Sequence, residues 1–353
     1  TSSPTNSSRI RSASARAQTV ALGPTWWPLG VVGLLIVLVG SYAITQSATF
    51  LTRSNFSNLL IGILPTGFLA MGEQFCLITG GFDVSVGSTM SLAVVLASFV
   101  ATGGSVASVI PGSIAIILVG VAVGAVNGLL IRKLKINALI GTIATLGILQ
   151  GIAIELRPTG TGQIGQGLNT VLQGHISFIP YAFLVLICLA ILADLWLVKT
   201  SSGLFTRASG RAEEMARRNG IQVSRVKFGG YMVCGALAAI AGLFVAVQVG
   251  TGDSTAGSSY LLPAFAACFI GGAGLAGGRG SFVGALLGSV FLALLVNAAP
   301  LVNMPEATTQ IIAGALTIVA IVAYSVRPPS RLPLAALFAR GGSQENRSIQ
   351  SAS

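Results

Sequence analysis

Few side chains in this sequence could do chemistry, and those that could stand singly in apolar surroundings. Glu73 lies about seven residues inside an apolar run. A charge at bilayer depth costs roughly 2.5 to 3.5 kcal/mol on insertion scales, so this carboxylate is expected to face a bundle interior or a water-filled cavity. It could serve a translocation path there, or be a paired or protonated structural acid. Further on, Gly80-Gly81-Phe82-Asp83-Val84-Ser85-Val86-Gly87-Ser88 sets a glycine pair, a second carboxylate and two hydroxyls between two apolar runs. Two readings fit. In a plain turn, Gly80 and Gly81 take positive φ and Asp83 caps the next helix. In a broken helix, unwound backbone is admitted because it lines a cavity or is buried in protein. Asn127, Gln150, Gln248 and Asn297 are polar but uncharged within apolar runs, where interhelical hydrogen bonds explain them as well as solute contacts do.

Other chemistries are excluded. Cys76, Cys188, Cys234 and Cys268 each stand alone in apolar runs without a C-x-x-C, and read as buried small hydrophobes. His175 is the single histidine, expected in a solvated loop, so imidazoles cannot assemble a metal site. Gly272, Gly274 and Gly277 form a G-x-G-x-x-G without the strand–helix context that a dinucleotide site needs. Gly277-Gly278-Arg279-Gly280-Ser281 lacks the G-K-[ST] of a phosphate-binding loop. No catalytic constellation and no cofactor site is expected, and if ATP drives the protein, another subunit hydrolyses it.

The elements that must position these residues follow from composition. Charged residues make up 8% and hydrophobic ones 53%, with a mean hydropathy of +0.85. A soluble domain carries about 25% charge. This is an all-α integral membrane protein. Apolar runs fall at about Trp26–Ala48, Leu59–Thr79, Val86–Ala101, Ile110–Ile131, Ala138–Ile154, Ile179–Val198, Phe228–Val249, Leu261–Leu275, Phe282–Ala299 and Ala307–Val326, which predicts about ten spans. The first is long enough to be an uncleaved span, with Trp26 and Trp27 at an interface. Residues 1–19 read as a disordered tail, 20–326 as the membrane domain and 327–353 as a second tail.

Charge distribution tests the count. With the amino terminus inside, the inner segments hold Arg9, Arg11 and Arg16; Arg132, Lys133 and Lys135; Lys199, Arg207, Arg211, Arg217, Arg218, Arg225 and Lys227; Arg279; and Arg327, Arg331, Arg340 and Arg347. Of the 20 cationic residues only Arg53 and Arg157 fall outside. One missing span would invert every later loop, so both termini are expected in the cytoplasm. Gly120, Gly124 and Gly128, like Gly280, Gly284 and Gly288, recur every fourth residue and predict close helix packing.

Lys199–Lys227 is the one long polar segment between apolar runs. Within it R-A-E-E-M-A-R-R pairs Glu213 with Arg217 and Glu214 with Arg218 at i, i+4 in the favourable order. Gly210 precedes this stretch, and Gly220 follows Asn219 as a helix C-cap would. The spacing predicts a short cytoplasmic helix over Arg211–Asn219. It is either a docking element or a basic loop kept for orientation.

At these residues the chain resembles the permease subunits of ribose-type ABC importers, whose members also include permeases for other sugars and for autoinducer-2. The likeness runs from about Ile61 to Ile321. It is carried by Gly80–Ser88, by Val126-Asn127-Gly128-Leu129-Leu130-Ile131, and by Ala144-Thr145-Leu146-Gly147. It continues in Ala216-Arg217-Arg218-Asn219-Gly220-Ile221 and in Ile270-Gly271-Gly272-Ala273-Gly274-Leu275-Ala276-Gly277-Gly278-Arg279-Gly280-Ser281. The resemblance implies a type II importer-like permease bundle in a bacterial inner membrane, working by alternating access. Its implied partners are a second permease copy or a paralogue, two cytoplasmic ATPase subunits, and an extracytoplasmic binding protein that delivers a sugar-like solute. It also implies a coupling helix in the loop that here holds Arg207, Arg211, Glu213, Glu214, Arg217, Arg218, Asn219 and Gly220. The signature residues Glu73, Gly80, Gly81, Asp83, Ser85, Gly87, Asn127, Gly271, Gly272, Gly277 and Gly278 become candidates for the path. Ser209-Gly210-Arg211 stands where the family has a glycine-asparagine pair, and Glu213-Glu214-Met215 replaces part of a small-residue run. An ion-gradient-driven carrier using Glu73 or Asp83 is the competing expectation.

Overall fold

The computed structural model describes residues 27–46 and 48–325. The expected tails and Trp26 lie outside these residues. Thirteen helices occur among the described residues: α1 Trp27–Gln46, α2 Arg53–Ile78, α3 Val86–Val100, α4 Val106–Arg132, α5 Ala138–Leu156, α6 Gln166–Leu172, α7 Tyr181–Lys199, α8 Ser201–Arg211, α9 Glu213–Arg218, α10 Val223–Val249, α11 Leu261–Ile270, α12 Phe282–Leu301 and α13 Glu306–Ser325. Local chemistry starts several of them. Thr52, Ser105, Asn137 and Ser281 each accept a hydrogen bond from a backbone N–H in the first turn of α2, α4, α5 and α12.

Six helices (α2, α4, α5, α7, α10 and α12) are long and apolar enough to cross a membrane, and shorter apolar helices occupy the other four expected runs. The long ones divide by burial. The most apolar stretch of α2 is 83% buried, whereas that of α7 is 17% buried. Thus α2, α10 and α12 form the interior while α4, α5 and α7 carry apolar side chains outward, as lipid contact requires.

The glycine rows work by close approach. A methyl added at Gly120 would strike the Gly235 carbonyl and the Ala239 side chain, and one at Gly124 would strike the Tyr231 carbonyl, so α4 lies backbone to backbone on α10. Gly284 and Gly288 bring α12 equally close to Gly271 and Ala267. Small residues thereby supply van der Waals contact where no hydrophobic effect separates lipid from protein.

Two helices are too short to cross alone. The 15 residues of α3 rise about 22 Å and the 10 of α11 about 15 Å, against a hydrocarbon core of about 30 Å. Irregular backbone extends both. Residues 79–85 lead into α3, and residues 250–257 followed by a 3-10 turn at Ser258–Tyr260 lead into α11. The second segment runs down the side of α3, because Gly252 lies against Ser98, Gly257 against Ser91 and Leu261 against Gly87. At the same end as Gly252, strand β1 (Thr161–Gln163) pairs antiparallel with β4 (Thr251–Gly252). The hairpin of β2 (His175–Ile176) and β3 (Ile179–Pro180) leaves His175 exposed, as expected.

Candidate functional site

The break between α2 and α3 is both a turn and a buried broken helix. Gly80 takes φ +74°, whereas Gly81, expected to do the same, does not. Gly81 is needed for space, since a methyl there would lie 2.5 Å from the Tyr231 hydroxyl. Asp83 does not cap α3. Its Oδ1 accepts from Ser85 N at 3.0 Å and Ser85 Oγ at 2.6 Å, a local turn that fixes the break. Asn127 of α4 donates to both Asp83 oxygens at 3.2 Å and to Ser85 Oγ at 2.8 Å. Glu73 Oε1 accepts from Asp83 N at 3.2 Å, while Oε2 faces Cys234 Sγ at 3.7 Å. Thr142 of α5 takes the Val84 N–H at 3.2 Å and Tyr231 of α10 donates to the Phe82 carbonyl at 3.2 Å. Glu73, Asp83, Ser85 and Asn127 are therefore one connected network, each no more than 1% exposed. It ties α2, α4, α5 and α10 to the break.

The remaining neutral polar groups also bond between elements. Asn55 and Asn297 exchange amide hydrogen bonds at 3.1 and 3.0 Å, Gln150 donates to the Ser254 carbonyl at 2.8 Å and Gln248 to the Ile61 carbonyl at 3.3 Å. Of the four cysteines, Cys76, Cys234 and Cys268 are buried as expected. Cys188 is exposed, because it sits on the outward flank of α7.

The loop from Lys199 to Lys227 holds two helices rather than one. The expected Arg211–Asn219 helix is confined to α9, since Ala212 takes φ −152° and ψ 75° and separates it from α8. Sequence pattern missed α8 because its polarity is reversed. Thr206, Arg207 and Ser209 are buried, while Leu204 and Phe205 are 48% and 42% exposed. Gly210 belongs to α8 and does not precede a helix. At the other end the C-cap is as expected: Gly220 takes φ +82°, and Ile221 N donates to the Ala216 carbonyl at 3.1 Å.

Both i, i+4 pairs form at 3.2 Å. Glu213 does more. It accepts from Arg132 at the end of α4 at 2.9 Å and from Lys227 of α10 at 2.8 Å, clamping α9 to both. Burial favours its neutral form, but the hydrogen bonds and charges of Lys227 and Arg132 outweigh it and hold the carboxyl at about 2. Asp194, which sequence reasoning passed over, plays the matching part on the other side. From α7 it accepts from Ser281 Oγ at 2.5 Å, Phe282 N at 2.8 Å and Val283 N at 3.1 Å, capping α12. Burial lowers the pKa of Arg207, against which the charge of Asp194 acts. The signal was available: a lone carboxylate in an apolar run, the pattern that singled out Glu73.

Three distant segments then meet. Gly277 and Gly278 take φ +74° and +72°, and Gly278 N donates to the Ile78 carbonyl at 2.7 Å. A methyl on Gly277 would lie 2.8 Å from Gly80 Cα and 2.9 Å from the Gly210 carbonyl. A methyl on Gly278 would lie 2.6 Å from Arg211 Cβ, and one on Gly210 would strike the Ile78 carbonyl. So the end of α8, the break after α2 and the loop after α11 meet backbone to backbone at Gly210, Gly80 and Gly277. Gly271 and Gly272 close α11 beside this junction, with Gly272 at φ +94°, while Gly87 faces Leu261. Beside the break opens a cavity of about 900 Å³, lined by Gly80–Phe82, Arg132, Lys135, Glu213, Arg217, Lys227 and Tyr231 among others.

A bundle of apolar helices with buried unwound segments, and a basic two-helix loop seated on one of them, defines a multi-pass membrane permease. The chain belongs to the family described as the branched-chain amino acid transport system / permease component, which matches residues 55–321. It is 33% identical to the ribose import permease protein of Bacillus subtilis over 297 residues, 82% of this chain and 90% of that protein. It is 30% identical to the ribose import permease protein of Escherichia coli K12, over 81% of this chain and 90% of that protein. Identity to the autoinducer 2 import system permease protein of Photorhabdus laumondii is 33%, over 81% and 83% of the two chains. No solved structure matches. This membership sets aside the ion-gradient-driven carrier.

Proposed function

We propose that this chain is the membrane subunit of an ATP-driven importer for a sugar-like solute, with ten spans, both termini in the cytoplasm and a place in the bacterial inner membrane. A second copy or a paralogue completes the path, two cytoplasmic ATPase subunits bind beneath it, and an extracytoplasmic binding protein supplies the solute. The observation that carries the reading is the glycine junction. A displacement of α8–α9 by the ATPases reaches Gly80 and Gly277 with no side chain between to absorb it. The exposed residues of α9, Glu214, Met215, Arg217 and Arg218, offer the face for docking, and Leu204 with Phe205 suits the membrane interface. Buried as they are, Glu73, Asp83, Ser85 and Asn127 act as the joint of the path and not as its surface. ATP and the loaded binding protein shift the resting orientation only insofar as each prefers one state.

The test uses the assembled complex in proteoliposomes. Deleting Glu213–Arg218 is expected to abolish ATP hydrolysis stimulated by the loaded binding protein. Full stimulation after the deletion, or uptake driven by a proton gradient without ATP, would overturn the proposal.

A further inference from the structure

The irregular segment before α11 has a use that the joint does not supply. Gly252 and Gly257 abut Ser98 and Ser91, seven residues apart on α3, so the segment descends about 10 Å into the bundle. Its backbone is held there by Gln150 to the Ser254 carbonyl at 2.8 Å and by Gly257 N to Ser91 Oγ at 3.0 Å. Yet Thr255, Ser258 and Ser259 are exposed, and Asp253 and Tyr260 are half-buried. Asp253 to Gly257 is non-helical and Ser258–Tyr260 a single 3-10 turn. Irregular backbone at this depth is admitted only where it is buried in protein or lines a water-filled space, and the exposed Thr255 is not buried. Just over one turn into α11, Phe265 packs against Phe82 with ring centroids 6.1 Å apart, and Phe82 lines the 900 Å³ cavity. Polar wall and aromatic pair thus stand on consecutive stretches of chain, and the pair borders the inner cavity.

We propose that Asp253, Thr255, Ser258, Ser259 and Tyr260 form the solute-contacting wall of the path, and that Phe82 and Phe265 close it toward the cavity. The donors and acceptors of this wall suit the sugar-like solute already proposed. Thr255 Oγ1 donates to Asp253 Oδ1 at 2.8 Å, Ser258 Oγ to the Thr255 carbonyl at 2.7 Å and Ser259 Oγ to the Ala256 carbonyl at 3.1 Å. With their protons committed, these hydroxyls present lone pairs, beside a carboxylate. Such a wall accepts from the hydroxyls of an uncharged polyhydroxy compound and repels a carboxylate-bearing one.

This inference rests on the transport reading, but its test does not need ATP. Ser258→Cys and Ser259→Cys are placed singly in a Cys188→Ser background, where the other native thiols are buried, and the complex in proteoliposomes is treated with a charged, membrane-impermeant thiol reagent. Labelling more than about tenfold faster than at an Ile191→Cys control on the outward flank of α7 is expected, because the reagent enters water and not lipid. Millimolar ribose should slow labelling and leucine should not. Labelling no faster than at the control would overturn the path. Protection by leucine, or by neither compound, would overturn the solute class. Failure of the importer reading would show separately, as absent ATP hydrolysis in the unlabelled complex.

Discussion

Gly210→Ala is the most direct perturbation of the junction. The added methyl meets the Ile78 carbonyl and, at 2.7 Å, the nitrogen of Gly278; both are backbone atoms, so neither can rotate away. The Gly278 N–H is itself bonded to that carbonyl at 2.7 Å, so separating the segments also stretches this bond. Overpacking of a close-packed site costs about 1 to 3 kcal/mol, and a lost hydrogen bond adds about 1 kcal/mol. The total of roughly 2 to 4 kcal/mol falls on the contact between α8 and the break, since α8 is otherwise compatible with alanine. If that contact transmits movement, stimulated ATP hydrolysis should drop by about tenfold or more, at 1.4 kcal/mol per tenfold, while the complex still assembles. Gly229→Ala is the matched control, since nothing lies within 4 Å of the added methyl; it should be neutral or slightly stabilising. The assays are ATP hydrolysis with and without loaded binding protein, and the unfolding temperature of the purified subunit. Stimulation and stability both unchanged in Gly210→Ala would refute the reasoning.

Other outcomes follow from the same contacts. Glu213→Gln removes the charge shared by Arg132 and Lys227 and, with the carboxylate partly open to solvent, should cost about 1 kcal/mol, read as earlier unfolding and faster proteolysis of the loop. Because the Glu213 carboxyl is held at about 2, below its ordinary 4.5, its stabilisation is complete above about pH 4.5 and fades as pH falls toward 2. Stability between pH 5 and 8 should therefore not depend on it, which a melting series across those pH values checks. Asp194→Leu leaves Ser281 Oγ, Phe282 N and Val283 N without their acceptor. It should destabilise by about 1 to 2 kcal/mol, more than Asp194→Asn, in thermal melts. Asn127→Leu takes the donor from Asp83 Oδ2 and from Ser85 Oγ, while Oδ1 keeps Ser85 N and Oγ, and should cost about 1 to 3 kcal/mol, seen as less folded protein in membranes.

What could be read from the sequence were the features whose physics is local or statistical. Lipid demands long apolar runs, so the helices fall where hydropathy puts them. The Glu213–Arg217 and Glu214–Arg218 pairs and the Gly220 cap lie within one or two turns, and both formed. What escaped depends on tertiary partners. Helix α8 was hidden because its polar residues face the bundle and Leu204 and Phe205 face out, the reverse of the usual cue. Glu213 looked like a helix-surface acid because Arg132 is 81 residues away in the chain.

The stretch from Thr251 to Tyr260 shows why polarity alone misleads in a membrane protein. Read as a string of Gly, Ser, Thr and Asp it is a loop, and a loop belongs outside the bilayer. Only the antiparallel sequence of contacts with Ser98, Ser91 and Gly87 reveals that it enters the bundle. The same composition that marks a solvated turn in water is, at depth, what an aqueous path is lined with. Buried Asp83 and open Thr255 therefore exchange the roles that sequence position suggests: the carboxylate in the signature holds the fold, and the hydroxyls of an apparent linker meet the water.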